Sequence, residues 1–180
     1  MRHGEAENNT RSILNSFPET TTYPLTELGK KEVSKTAQFL ATIGADALVS
    51  SPMQRTKETA EIISQVTGLP IQFDDRLREA DFGIFNERYK EELFEKYPTS
   101  ESRISAGKDD GVESFIDIRG RLTSFLDDMK EKYGGKKVIL VSHGDPLEQL
   151  HGIFMNEAPG WSAMGWYPEK GSCTEVVWKV

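Results

Sequence analysis

The sequence predicts an α/β domain: a mainly parallel sheet covered on both faces by helices, a three-layer α/β/α sandwich. Three observations predict it. Short, mostly apolar runs, ADALVS at Ala45 to Ser50 and KVILVS at Lys137 to Ser142, read as strands buried on both faces. Longer stretches with apolar residues at helical spacing alternate with them. Each strand is succeeded by a turn and a helix, and this alternation is what a parallel sheet requires.

In chain order, Thr26 is placed to cap a helix whose apolar face is Val33, Ala37, Leu40 and Ala41, closing near Gly44. Ala45 to Ser50 comes next as a strand stopped by Pro52, and Met53 to Val66 returns to helical spacing before Gly68. A second strand is predicted around Pro70 to Phe73 and a short helix near Tyr89 to Tyr97. Residues Pro98 to Gly111 are polar and read as a long surface loop. Phe115, Ile118, Leu122, Phe125 and Met129 form one stripe of a long helix ended by Gly134-Gly135. The strand Lys137 to Ser142 leads into His143 and a further helix, and Thr174 to Val180 reads as a closing strand.

At 180 residues the chain is most simply one domain, residues 1–180. A net charge of −7 without a basic run disfavours nucleic acid and anionic membrane surfaces, while permitting a small phosphorylated ligand if cations are gathered in one pocket. A single cysteine, Cys173, rules out an internal disulfide framework, and no run approaches the roughly 20 apolar residues of a membrane span. Together with the lack of a charged-then-apolar leader, these point to a soluble, cytoplasmic protein. Oligomeric state leaves no mark in the sequence.

In open parallel sheets ligands sit beyond the carboxyl ends of the strands, where helix N-termini offer N–H groups to anions. The residues just past each strand of this chain are chemically selective. Arg55 falls in the first turn after the strand ending at Ser50, His143 comes directly after Ser142, Arg78 and Glu79 lie shortly beyond the strand near Phe73, and Arg2, His3 and Glu5 open the chain. Two guanidinium forks suit a phosphoryl group, whose charge is spread over three equatorial oxygens. A neutral imidazole attacks phosphorus without a separate base, so His3 or His143 can serve as nucleophile. A carboxylic acid protonates the leaving oxygen and later takes a proton from water; Glu79 competes here with Glu5, Asp81 and Glu87. The scheme requires no metal, and three histidines without an i, i+4 ligand pair do not suggest one. His151 reads as surface or core filler, and Trp161, Trp166 and Tyr167 as a local aromatic cluster that could line a pocket mouth.

RHGE at Arg2 to Glu5 with Asn9 six residues past His3, PLTELG at Pro24 to Gly29, SSPMQRTKETAE at Ser50 to Glu61, LREADFG at Leu77 to Gly83, GVES at Gly111 to Ser114 and VSHG at Val141 to Gly144 resemble, in order and over nearly the whole chain, the histidine phosphatase superfamily. The resemblance is to the branch of the cofactor-dependent phosphoglycerate mutases. It implies that His3 is the phosphorylated nucleophile, that Arg2, Arg55 and His143 form the phosphate pocket, that Glu79 is the proton donor and acceptor, and that Asn9 contacts the phosphoryl group or its carrier. It also implies a central strand ahead of RHG, of which only Met1 stands here, so several residues are expected upstream.

The sequence departs from the mutase pattern where a mutase needs extra cations. Phe85-Asn86-Glu87 replaces the usual aromatic-acidic-glycine stretch, Arg11 to Thr22 lacks a threonine-glycine-tryptophan run, and the stretch Pro98 to Gly111 holds Arg103 as its one arginine. These departures favour a metal-independent phosphoric monoester hydrolase without a cofactor. The alternatives are a phosphoglycerate mutase, which would use 2,3-bisphosphoglycerate, and a catalytically inactive phospho-ligand-binding module.

Overall fold

A computed structural model describes residues 1–107 and 109–178. Three strands, β1 (Ala47–Ser50), β2 (Ile71–Phe73) and β3 (Val138–Val141), form a parallel sheet in the order β2-β1-β3. The helices are α1 (Glu7–Thr10), α2 (Glu27–Leu40), α3 (Gln54–Thr67), α4 (Lys90–Lys96), α5 (Ser100–Ile104), α6 (Phe115–Tyr133) and α7 (Gly144–Phe154). Single 3-10 turns at Asp75–Leu77 and Gly83–Phe85 shape the connection after β2.

The layers arise from the strands' two-residue period. Leu48, Ile139 and Val141 point to one side, into a core with Val33, Ala37 and Leu40 of α2 and Ala60 and Ile63 of α3. Val49, Val138 and Leu140 point to the other side, against Ile118, Leu122 and Phe125 of α6 and Leu150 of α7. Both faces of the sheet are therefore apolar, which is why its strands read as continuous hydrophobic runs. Burying each large side chain contributes roughly 1.5–3 kcal/mol.

Local signals set the helix ends. The Thr26 hydroxyl accepts from Gly29 N at 3.0 Å, Ser114 caps α6 by accepting from Asp117 N at 3.1 Å, and Gly68 closes α3 in the left-handed conformation with φ 73°. Ala41, assigned to the apolar face of α2, instead lies exposed one residue past the helix. The stretch Pro98 to Gly111 is not loop throughout: Thr99 and Ser102 cap each other's backbone and nucleate α5, whose Arg103 is buried.

Residues 1–3 lie between β3 and the segment at Gly171 and Ser172. Met1 O accepts from Ser142 N and His3 N donates to Ser142 O, both at 3.1 Å, so the first three residues lie parallel to the tip of β3. On their other side Arg2 N donates to Ser172 O and Gly171 N to His3 O. Thr174 to Trp178 do not form the strand their composition suggests. Residues 179 and 180, the end of that predicted strand, lie outside the described residues. Among the described residues no helix is long and apolar enough to cross a membrane.

Candidate active site

The sheet's carboxyl edge brings five of the six sequence-selected residues into one knot. Arg2 and His3 lie beside Ser142, His143 is the N-cap residue of α7 directly after β3, Arg55 is in the first turn of α3 after β1, and Glu79 lies just past the turn after β2. His3, Arg55 and His143 are at most 1% exposed and Glu79 is 8% exposed. Burying such charge and polarity is costly unless the groups are hydrogen-bonded.

Two constraints fix His3. Its Nδ1 lies 2.7 Å from Gly4 O, a pure acceptor, so Nδ1 carries the proton and Nε2 the lone pair. Nε2 in turn accepts from Arg55 Nε at 3.2 Å. The chain can lie this close to α2 because position 4 is glycine: a Cβ there would stand 2.5 Å from Gly29 O and 2.7 Å from Val33 Cγ2. His143 lies edge-on to His3 with ring centroids 5.2 Å apart, and its Nε2 is 2.8 Å from Ser51 Oγ, leaving Nδ1 without a protein partner among the described residues.

The electrostatics favour neutral imidazoles beside a protonated acid. Burial, then the charges of Arg55 and Arg2, hold His3 well below the usual histidine range. Burial and Arg55 do the same to His143. Glu79 is pushed the other way, up to about 7, chiefly by burial and then by the negative Asp145, against the opposing pull of Arg55 and Arg2. At neutral pH one group is thus ready to attack and another to give a proton.

Asn9, the sixth residue, stands apart. Its Oδ1 accepts the Ala6 N–H at 3.0 Å, turning the chain into α1, and no hydrogen bond joins it to the other five among the described residues. Residues that the sequence did not single out do more to hold the site. Asn15 takes Arg55 Nη1 on its Oδ1 at 2.6 Å and Nη2 on its carbonyl at 3.1 Å, while its own amide donates to Glu87 Oε1 at 2.8 Å. Glu19 accepts the first N–H of α3, from Gln54, at 2.7 Å and sits 3.7 Å from Arg55 Nη1. Ser51, Asp145 and Tyr167 complete the rim: the Tyr167 hydroxyl packs on Gly144 and donates to Asp145 Oδ1 at 3.3 Å, and its ring lies under the Arg2 guanidinium at 5.1 Å. The aromatic cluster near the C-terminus divides, since Trp166 stacks on His151 at 4.1 Å and only Tyr167 faces the site. A polar residue within a loop, such as Asn15 or Glu19, carries no periodic or spacing signal to announce it.

The chain is similar to several known proteins. The probable phosphoglycerate mutase GpmB of Citrobacter koseri is 32% identical over 166 residues, 90% of this chain and 75% of that protein. The structure of Bacillus stearothermophilus YhfR is similar with a TM-score of 0.79 and 25% identity, covering 94% of this chain and 83% of that one. A putative alpha-ribazole-5'-P phosphatase from Escherichia coli shares the fold, with a TM-score of 0.78 over 95% of this chain and 84% of its own at 22% identity. The family model of the histidine phosphatase superfamily, branch 1, matches residues 1–179. The chain therefore belongs to branch 1 of the histidine phosphatase superfamily and is an enzyme of the phosphatase and phosphoglycerate mutase kind.

Proposed function

We propose that the protein is a metal-independent phosphoric monoester hydrolase acting through a phosphohistidine at His3 on a small phosphorylated metabolite. The observation that carries this reading is the state of His3: a neutral ring whose Nδ1–H is fixed on Gly4 O and whose Nε2 lone pair is aimed at the Arg55 guanidinium.

In the first step Nε2 attacks phosphorus as the bond to the leaving oxygen breaks, and Glu79 in its acid form gives that oxygen a proton. Arg2 and Arg55 take the equatorial oxygens, the Arg55 Nε–H transferring from His3 to the phosphoryl group as it arrives. With Ser51 donating to its Nε2, His143 presents an Nδ1–H to the same oxygens. Asn9 adds its amide N–H to the phosphoryl group or its carrier. In the second step water attacks phosphorus, the P–N bond breaks, and Glu79, now a carboxylate, takes the water proton. Inorganic phosphate leaves and His3 is again neutral.

The name of the GpmB relative favours a second reading, a phosphoglycerate mutase with 2,3-bisphosphoglycerate as cofactor. Retaining a second phosphate asks for spare cations, and one arm of Arg103, Nη2, is already held by Asp145 at 3.3 Å while Nη1 has no partner among the described residues. That pairing supports the hydrolase. The test offers a chromogenic aryl phosphate, and separately 3-phosphoglycerate with 2,3-bisphosphoglycerate. Release of phosphate supports the hydrolase, isomerisation the mutase, and silence in both a binding module. His3→Ala should abolish an acid-labile, alkali-stable phosphoenzyme, and its survival would move the nucleophile elsewhere.

A further inference from the structure

His3 and Arg55 are fixed by bonds that their own side chains make to distant partners, but the Glu79 carboxyl is not. Among the described residues its one hydrogen bond comes from the next N–H in the chain, Ala80 N to Oε1 at 3.0 Å. A bond so local turns with the backbone that carries it. The aim of this acid therefore depends on how the stretch after β2 is held.

That stretch is held from α6. Glu113, directly ahead of the Ser114 cap, exchanges two bonds with Asp81: Glu113 N donates to Asp81 O at 2.8 Å, and Asp81 N donates to Glu113 Oε2 at 3.1 Å. Arg121, further along α6, grips the same carboxylate with two prongs of its guanidinium, Nε on Oε1 at 2.7 Å and Nη2 on Oε2 at 3.0 Å. Its fork also reaches back over the stretch, Nη1 donating to Arg76 O and Nη2 to Glu79 O at 3.4 Å. Arg78 Nη2 lies 3.7 Å from the same carboxylate. Backbone groups of Arg76, Glu79 and Asp81 thus all end on one ion pair. Its acid belongs to GVES at Gly111 to Ser114, a motif to which the hydrolytic scheme gives no role.

The side chains of Arg121 and Glu113 are only 9% and 10% exposed. At that depth the cost of desolvation offsets much of the attraction, so net stability is a weak reason for the pair. Apolar side chains would pack the place as well. What they would lack is direction, the fixed donors that tie three backbone positions beside Glu79 to a helix anchored in the core by Phe115, Ile118 and Leu122.

We propose, on the reading of Glu79 as the proton donor, that Glu113 and Arg121 are positioning residues that set where the Glu79 carboxyl meets the leaving oxygen.

The experiment measures kcat/KM on phenyl phosphate and on 2,4-dinitrophenyl phosphate, two aryl esters with a poor and a good leaving group, for the wild type, Arg121→Lys, Glu113→Gln and Glu79→Gln. An acid moved out of reach matters only where a proton must be given, so each of the first two variants should lose about tenfold or more on phenyl phosphate and less than about threefold on the dinitrophenyl ester. Equal losses on both esters would make the pair scaffold only, and no loss on either would mean that Glu79 is held without it; each result overturns the proposal. Glu79→Gln separates this from the reading beneath it. A selective loss in Glu79→Gln without one in the other two sinks the positioning role alone, whereas equal losses in Glu79→Gln remove Glu79 as the acid. If the single variants do not fold, the double variant Glu113→Leu/Arg121→Met replaces the pair with apolar side chains, an exchange that buried ion pairs often tolerate, and should show the same selective loss. Failure of that variant to fold as well would make the pair part of the fold itself and overturn the proposal.

Discussion

Arg55 donates through Nε to Nε2 of His3 at 3.2 Å, although the two residues are 52 positions apart in the chain. One guanidinium thereby orients the imidazole and waits at the place where phosphoryl oxygens arrive. Arg55 is 1% exposed, and Asn15, Glu19 and Met53 also surround its head, so its fork cannot turn freely.

Arg55→Lys keeps the charge and loses the fork. A lysine cannot bond His3 and Asn15 together while serving a phosphoryl oxygen. Hydrolysis of an aryl phosphate should fall by about 10²–10³ in kcat/KM, as when one oriented donor is lost from a transition state. A loss under fivefold, measured by steady-state kinetics, would show that Arg55 is scaffold only.

Asn15→Ala removes the acceptor on Arg55 Nη1 and the donor to Glu87. A buried guanidinium donor left unanswered costs about 1–3 kcal/mol. Urea denaturation should show that loss, together with reduced kcat. Stability and rate both unchanged would mean that water replaces Asn15 without cost.

The rate should depend on Glu79 being protonated. Burial raises its carboxyl to about 7, so the acid form predominates below that pH and is lost above it. With a poor leaving group, kcat/KM should fall as pH rises through about 7. With an activated aryl leaving group it should fall much less, because little proton donation is needed. Glu79→Gln should remove the fall for the first class of substrate, and the same pH profile for both classes would remove Glu79 from the acid role.

Glu148 sets a matching trend in stability. Its carboxyl rises from 4.5 to about 7 on folding, so the native state holds a proton that the unfolded chain gives up between those values. Stability is accordingly fullest below the unfolded value and declines as pH climbs through the folded one. Thermal unfolding should show Glu148→Gln gaining more over the wild type at pH 8 than at pH 5, and an equal difference at both would mean that Glu148 ionises freely in the native state.

Phe125→Ala tests the layer on the α6 side. Phe125 is fully buried in the core shared by α6, α7 and the sheet, and its loss should cost roughly 3–5 kcal/mol. A cost under about 1 kcal/mol in urea melts would place that core elsewhere.

The sequence by itself determined the layers, because burial on two faces needs unbroken apolar strands such as Val138–Val141, and burial on one needs a stripe such as Phe115, Ile118, Leu122 and Phe125. It also marked Arg2, His3, Arg55, Glu79 and His143, since each comes after a strand or stands in a recognisable motif. Only the tertiary structure decided how these are held. Asn15 and Glu19 reach Arg55, Asp145 bears on Glu79, and Arg103 leaves its supposed loop to neutralise Asp145. Nor could composition reveal that Thr174 to Trp178 stay outside the sheet, for a strand exists only where another backbone lies alongside. Such contacts join positions tens of residues apart, and no local period or propensity encodes a distance that forms only when the chain closes on itself.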